Sequence, residues 1–186
     1  MLLEVVLISG GVFLGIAGEQ WRENSAHREL ARGALDRIRS EIINNQKAVR
    51  DKRDYHVRVA AEIKNYLAAK TPAEREAAHL EIHGVQIANF DRMAWDVAIA
   101  TQSLAYMDAD IVFALSEVYS RQAQHAQLSG YLIQSEFEQP PSEGQSFLPF
   151  LQKVDVYFDD ANFYEAQLLK LYDDVLPKIN LALAGR

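Results

Sequence analysis

The hydrophobic and polar positions of this chain fall into two regimes. Leu2 to Gly18 is an apolar run broken only by Glu4 and Ser9, and it leads into Glu19-Gln20-Trp21-Arg22-Glu23. Beyond it, most segments place apolar residues at the three-and-four spacing of a helix that buries one face. Between Glu19 and Ala69 nothing stops a helix, Gly33 being the one weak point. Ala31, Leu35, Ile38, Ile42, Val49, Val59, Ile63 and Tyr66 keep one face, interrupted by Asn45, Lys52 and His56. Three polar insertions over five turns predict packing on the chain's own domain more than a free two-stranded coiled coil.

Thr71-Pro72-Ala73-Glu74 supplies a cap, a first-turn proline and a capping-box glutamate, which predicts a second helix running to about His83-Gly84. After a loop near residues 85–89, a short helix carries Phe90, Ala94, Val97, Ala98, Thr101, Leu104 and Ala105 on one side, with Trp95 plugging the core. Asp108 reads as the N-cap of a long helix to about Phe137, with Ile111, Leu115, Val118, Gln122, Ala126, Ser129 and Ile133 as its stripe. Glu138 to Gln145, with Pro140-Pro141, is the one clear loop. Phe147, Leu151, Val154 and Phe158 form a further stripe, then Tyr164, Leu168, Leu171, Val175 and Ile179 another, kinked or ended near Pro177. From Arg22 to Gln139 the chain holds one proline, Pro72, and the glycines Gly33, Gly84 and Gly130, a scarcity that favours long helices. The expected fold is all-α, with an N-terminal transmembrane helix continuing into a long helix and packed in a bundle of about four to six helices.

The expected division is a transmembrane anchor over residues 1–21 and a helical bundle domain over 22–186. The seventeen residues of the apolar run span roughly 25 Å as a helix, against a hydrocarbon core of ~30 Å. A cleaved signal peptide would carry a basic n-region, and no Lys or Arg precedes Arg22. Trp21 and Arg22 then fall where an aromatic ring and a snorkelling cation mark a membrane interface. Glu4, Gly11, Gly15 and Gly18 share one helical face, which suits close approach of a second membrane helix. The plainer reading is that glycine is common in such helices and Glu4 sits among headgroups. The partners implied are the lipid bilayer and either a second copy or another membrane protein.

Glu4, Gly11, Trp21 and Glu23, followed by a charged helix, resemble a group of uncharacterised bacterial single-pass membrane proteins with a Gln/Asn-Trp-x-Glu junction and an all-helical soluble domain. Ala94-Trp95-Asp96-Val97-Ala98, running through Met107-Asp108 to Leu115-Ser116-Glu117-Val118-Tyr119, is similar to the central helical pair of such proteins. The resemblance covers about half the chain and implies an architecture and no activity. In that group a basic segment usually precedes the apolar run, whereas here Met1 abuts it.

Charge adds a polarity. The chain has 186 residues and a net charge of −7, yet residues 1–70 hold 12 Lys/Arg against 9 Asp/Glu, and residues 71–186 hold 7 against 17. Arg22, Arg28, Arg32, Arg37 and Arg39 all follow the apolar run, so the positive-inside rule places a single-pass protein in the bacterial inner membrane with its bundle in the cytoplasm. The acidic remainder argues against nucleic acid as a partner. With no cysteine, the chain has no disulfide, thiolate nucleophile or cysteine-ligated metal.

Candidate chemistry is thin. Glu76-x-x-His79 is half of a di-iron bundle motif, and His79 and His83 lie at i, i+4, but two ligands do not make a metal site. The pairs Asp108/Asp110, Asp159/Asp160 and Asp173/Asp174 read as caps and solvated faces, because acid–base work needs two environments that split the pKa values. Tyr55, Tyr66, Trp95, Tyr106, Tyr119, Tyr131, Phe158 and Tyr164 lie at helical spacing and read as core before ligand cage. No catalytic residue, cofactor or metal site is assigned and no enzyme is expected. The function expected is a membrane-anchored interaction scaffold or accessory subunit, the alternative a small-ligand-binding sensor domain acting through a partner protein.

Overall fold

The structure, a computed structural model, describes residues 2–138 and 147–185, with the side chains of 2–14, 16, 133 and 135–138 outside the description. It is 85% helical, and among the described residues there are no strands. The elements are α1 (Leu2–Ala68), α2 (Pro72–Ala77), α3 (Met93–Ala100), a 3-10 turn (Ser103–Tyr106), α4 (Ala109–Glu138) and α5 (Phe147–Ala184).

As expected, α1 is unbroken for 67 residues, about 100 Å, and Gly33 neither ends nor touches anything with the Cβ it lacks. Its stripe is inside: Ile38, Ile42, Val49, Val59 and Ile63 have no solvent exposure. What covers that stripe is α5, which runs antiparallel along it. Arg32 donates to the carbonyls of Leu183 and Gly185, Gln46 to Asp173, and Lys64 to Asp159, so the two helices read past each other in opposite directions. Arg32 thereby supplies the cation that the last turn of α5 lacks. Pro177 lies inside α5 and does not end it; the two stripes expected on separate segments belong to one helix. α4 lies antiparallel on the other flank of α5, tied by Gln122 to Tyr172 and Ser129 to Tyr157. Asp108 caps α4 as expected, accepting from the backbone N–H groups of Asp110 and Ile111.

The structure departs from the expected elements in places. The capping box at Thr71 and Glu74 forms in full, but α2 ends after six residues at Ala77. His79 adopts a φ of +48° and the chain then runs extended, because side chains of α1 take over its backbone groups. The short helix after it stops at Ala100, where Gln102 at φ +56° turns the chain into the 3-10 segment. Its inward residues are Trp95 and Ala98, while Val97, Thr101 and Ala105 face solvent. Trp95 does plug the core, stacked on Tyr119 at 4.8 Å. Of the stripe expected on α4, Ala126 is exposed and Ile133 lies outside the described side chains. The expected loop at 138–145 falls outside the description from residue 139 onward.

The membrane reading is corrected. Among the described residues no helix is long and apolar enough to cross a membrane. The run Leu2 to Gly18 reaches only about 25 Å of a ~30 Å core, contains Glu4, and continues directly into Glu19, Arg22 and Glu23. Residues 1–21 are therefore not carried forward as a transmembrane anchor, nor is a single-pass inner-membrane location or a cytoplasmic side. Trp21 and Arg22 lose their interfacial role with it: Trp21 is 75% exposed, and Arg22 pairs with Glu19 at 3.7 Å on the same helix.

Candidate functional site

Two apolar clusters make up the interior. One gathers Leu35, Ile38, Ile42, Val49, Trp95, Leu115, Leu168, Tyr172 and Ile179; the other gathers Val59, Ile63, Leu151, Val154, Phe158 and Ala161. Between them, three helices each contribute one fully buried ionisable group: His56 from α1, His125 from α4 and Glu165 from α5. Each occupies a core-facing position by helical spacing, so the fold forces them together. His56 Nδ1 lies 2.6 Å from Glu165 Oε1, and His125 Nε2 lies 3.5 Å from the same oxygen.

The fourth wall is the extended segment 79–92, a strap held by side chains of α1. Glu62 accepts from the backbone N–H of Glu81 at 3.0 Å. The Tyr55 hydroxyl accepts from the N–H of His83 and donates to the carbonyl of Gly84. Asn45 exchanges both of its amide bonds with the backbone of Asp91, at 2.7 and 2.8 Å. Glu41 accepts from the N–H of Ala94, serving as the acceptor at the start of α3 where Arg92 provides none, and also from the Tyr119 hydroxyl at 2.5 Å. His56 joins this series through Nε2, 2.9 Å from the carbonyl of Val85. Over His125 the strap lays Phe90, edge to face at 5.4 Å.

Hydrogen-bond bookkeeping fixes the protons. A carbonyl only accepts, so His56 Nε2 carries hydrogen. A 2.6 Å contact between Nδ1 and a carboxylate oxygen requires one proton between them. The pair is therefore either imidazolium with carboxylate or neutral imidazole with carboxylic acid. Burial by itself would push the Glu165 carboxyl up; the imidazoles of His125 and His56 outweigh it and hold the group below the ordinary carboxylate range, favouring the ionised form. Both ring nitrogens of His125 and Oε2 of Glu165 have no hydrogen-bond partner among the described residues. Burial also pushes up the hydroxyls of Tyr119, Tyr157 and Tyr172, which stay protonated; Tyr119 donates to Glu41, Tyr172 accepts from Gln122, and Tyr157 pairs with Ser129.

The residues singled out in the sequence mostly lie elsewhere. Gly15 and Gly18 are exposed on α1 with nothing within 4 Å of the Cβ each lacks; Glu4 and Gly11 lie outside the described side chains. Glu76 is on α2, but His79 and His83 follow its end, so they share no helical face. His83 pairs instead with Glu81 at 2.9 Å, in solvent, and among the described residues no group of three His, Asp or Glu is arranged to hold a metal. Of the carboxylate pairs, Asp108 caps α4, Asp159 binds Lys64 and Asp173 accepts from Gln46 and Arg50. Trp95, Tyr119 and Phe158 are core, whereas Tyr106 and Tyr131 are exposed. No protein-family model, curated protein or solved structure matches the chain.

Proposed function

We propose that this chain is a helical interaction module, a scaffold or accessory subunit that associates with a second copy or a partner protein through the free N-terminal part of α1. The observation that carries the reading is a mismatch within one helix. Among the described side chains of α1, the first ring contact with the rest of the chain is made by His27, stacked on Tyr106 at 4.0 Å, whereas Gly15 and residues 17–26 are exposed. The helix from Leu2 to Ala26 extends ~37 Å before that point and contains the most apolar run of the sequence. Helices in proteins draw most of their stability from packing an apolar face rather than from propensity, and a large uncovered apolar surface favours association. Gly11, Gly15 and Gly18 share a face by spacing, which suits close approach of another helix. An expression-tagged full-length chain, recovered under native conditions and examined by mass spectrometry beside Gly15→Ile and Trp21→Glu, tests this. A stoichiometric partner or second copy held by the wild type and lost from both variants supports the reading; equal recovery from all three, or nothing bound by the wild type, contradicts it.

One observation favours a ligand-binding module as a second reading. Between α1 and α3 lies a groove of about 940 Å³, walled by Leu30, Ala34, Met93, Ala94 and Val97 with Arg37 and Glu41 among its polar groups. Apolar clefts with a few polar groups are the usual setting for small ligands. An apolar fluorescent probe that binds the wild type saturably and Leu30→Glu not at all would support it; equal binding to both would remove the groove as the site.

A further inference from the structure

We propose that His56, His125 and Glu165 form a proton-operated latch that holds the 79–92 strap closed over the interior. Every element packed around the cluster contributes groups that face it. From α1 come His56 and Tyr55, from α4 His125, from α5 Glu165 and Tyr157, and from the strap the Val85 carbonyl and the Phe90 ring. The ionisable groups of the strap that are paired, His83 with Glu81 and Arg92 with Asp96 of α3, make their contacts in solvent.

With one proton shared between His56 and Glu165, the cluster is neutral as a whole and His56 spans from α5 to the strap. A second proton has one natural seat, His125, whose Nε2 lies 3.5 Å from Glu165 Oε1 and whose ring nitrogens have no hydrogen-bond partner among the described residues. It would place two imidazolium groups around a single carboxylate, all three side chains fully buried. An unbalanced charge in such a setting is strongly disfavoured unless water reaches it. The helices around the cluster are fastened by apolar layers above and below. The strap packs Ala88 and Phe90 on one layer and Leu80, Ile82 and Val85 on the other, but it has no regular secondary structure, three residues in the left-handed region, His79, Gln86 and Gly84, and a groove of about 580 Å³ on its α4 side. It is the wall that yields. Opening hydrates the three groups and bares Phe90 and Ala88, so uptake of one proton is coupled to exposure of a new surface.

Because one proton is taken up on opening, the opening constant rises by up to roughly tenfold for each pH unit below the titration of the cluster. Hydrogen exchange of the intact protein, corrected for the intrinsic pH dependence of amide exchange, reads this directly between pH 8 and pH 5. In the wild type, peptides covering the strap lose protection as pH falls while those from α5 keep theirs. In His125→Phe, which keeps a ring beneath Phe90 and removes the second proton's seat, the strap stays protected throughout. Should that variant fail to fold, His125→Gln fills the site with a polar side chain that takes no proton and is read the same way. Strap protection independent of pH in the wild type, or the same pH response in the folded variant, overturns the latch.

Discussion

One helix, α1, lives in two environments. From His27 to Ala68 it is covered by α5 along its apolar stripe and pinned by the strap on another face. From Gly15 to Ala26 its described side chains are exposed, with the exception of Ile16, whose side chain lies outside the description. The bundled part obtains its stability from apolar layers and single polar bonds within the chain. Gly15 and residues 17–26 are exposed and have no such cover among the described residues. This contrast between the two parts of one helix is why the proposed function is placed on the exposed part.

The comparison can be broken first at the core. Phe158→Ala empties a fully buried site and should cost about 3–5 kcal/mol in denaturant unfolding, leaving association through the free part of α1 unchanged so long as the protein stays folded. Acid comes next. Glu165 is held below the ordinary carboxylate range, so its contribution is fully present above the unfolded-chain value of about 4.3 and is lost as pH falls through the folded value. Unfolding free energies from pH 6 to pH 3 should show this loss in the wild type and a flatter profile in Glu165→Gln. Asn45→Ala, which removes both bonds to Asp91 from a buried position, should cost about 1–3 kcal/mol, with hydrogen exchange showing the strap opened well before α5. Gly33→Ala sharpens the comparison at the junction: the position is exposed, helical and unobstructed, so thermal unfolding should show a gain of roughly 0.5–1 kcal/mol. Lys64→Ala, breaking a solvent-exposed pair with Asp159, should leave the thermal unfolding midpoint nearly unchanged.

What was legible in the sequence is what is local. The Asp108 cap, the Thr71 capping box and the continuity of α1 each depend on residues within a turn or two. The stripe of α1 was legible too, since its spacing needs no knowledge of its partner. The early end of α2 was not, because the groups that draw the strap off its helical course, Glu62, Tyr55 and Asn45, lie 19, 28 and 46 residues before the backbone they bind. The buried cluster was hidden for a related reason. Choosing stripe residues by apolarity selects Ala126 over His125 and Tyr164 over Glu165, and the fold buries the polar neighbour in each pair. His56 stood out only as an interruption because its partner is 109 residues away. A signal was present nonetheless: Phe158, Ala161, Glu165, Leu168 and Tyr172 recur at three and four, and a lone carboxylate in such a series asks for a buried partner.

The association of the free part of α1 is tested most directly by sedimentation velocity on the full-length protein across a wide concentration range, wild type beside Gly15→Ile, with thermal unfolding of both. The account predicts that the wild type alone, or with its co-purified partner, sediments above the mass of one chain, that Gly15→Ile sediments as one chain, and that the bundle unfolds at the same midpoint in each. A wild type that remains a single free chain at every concentration, or a Gly15→Ile variant that assembles as the wild type does, would contradict it.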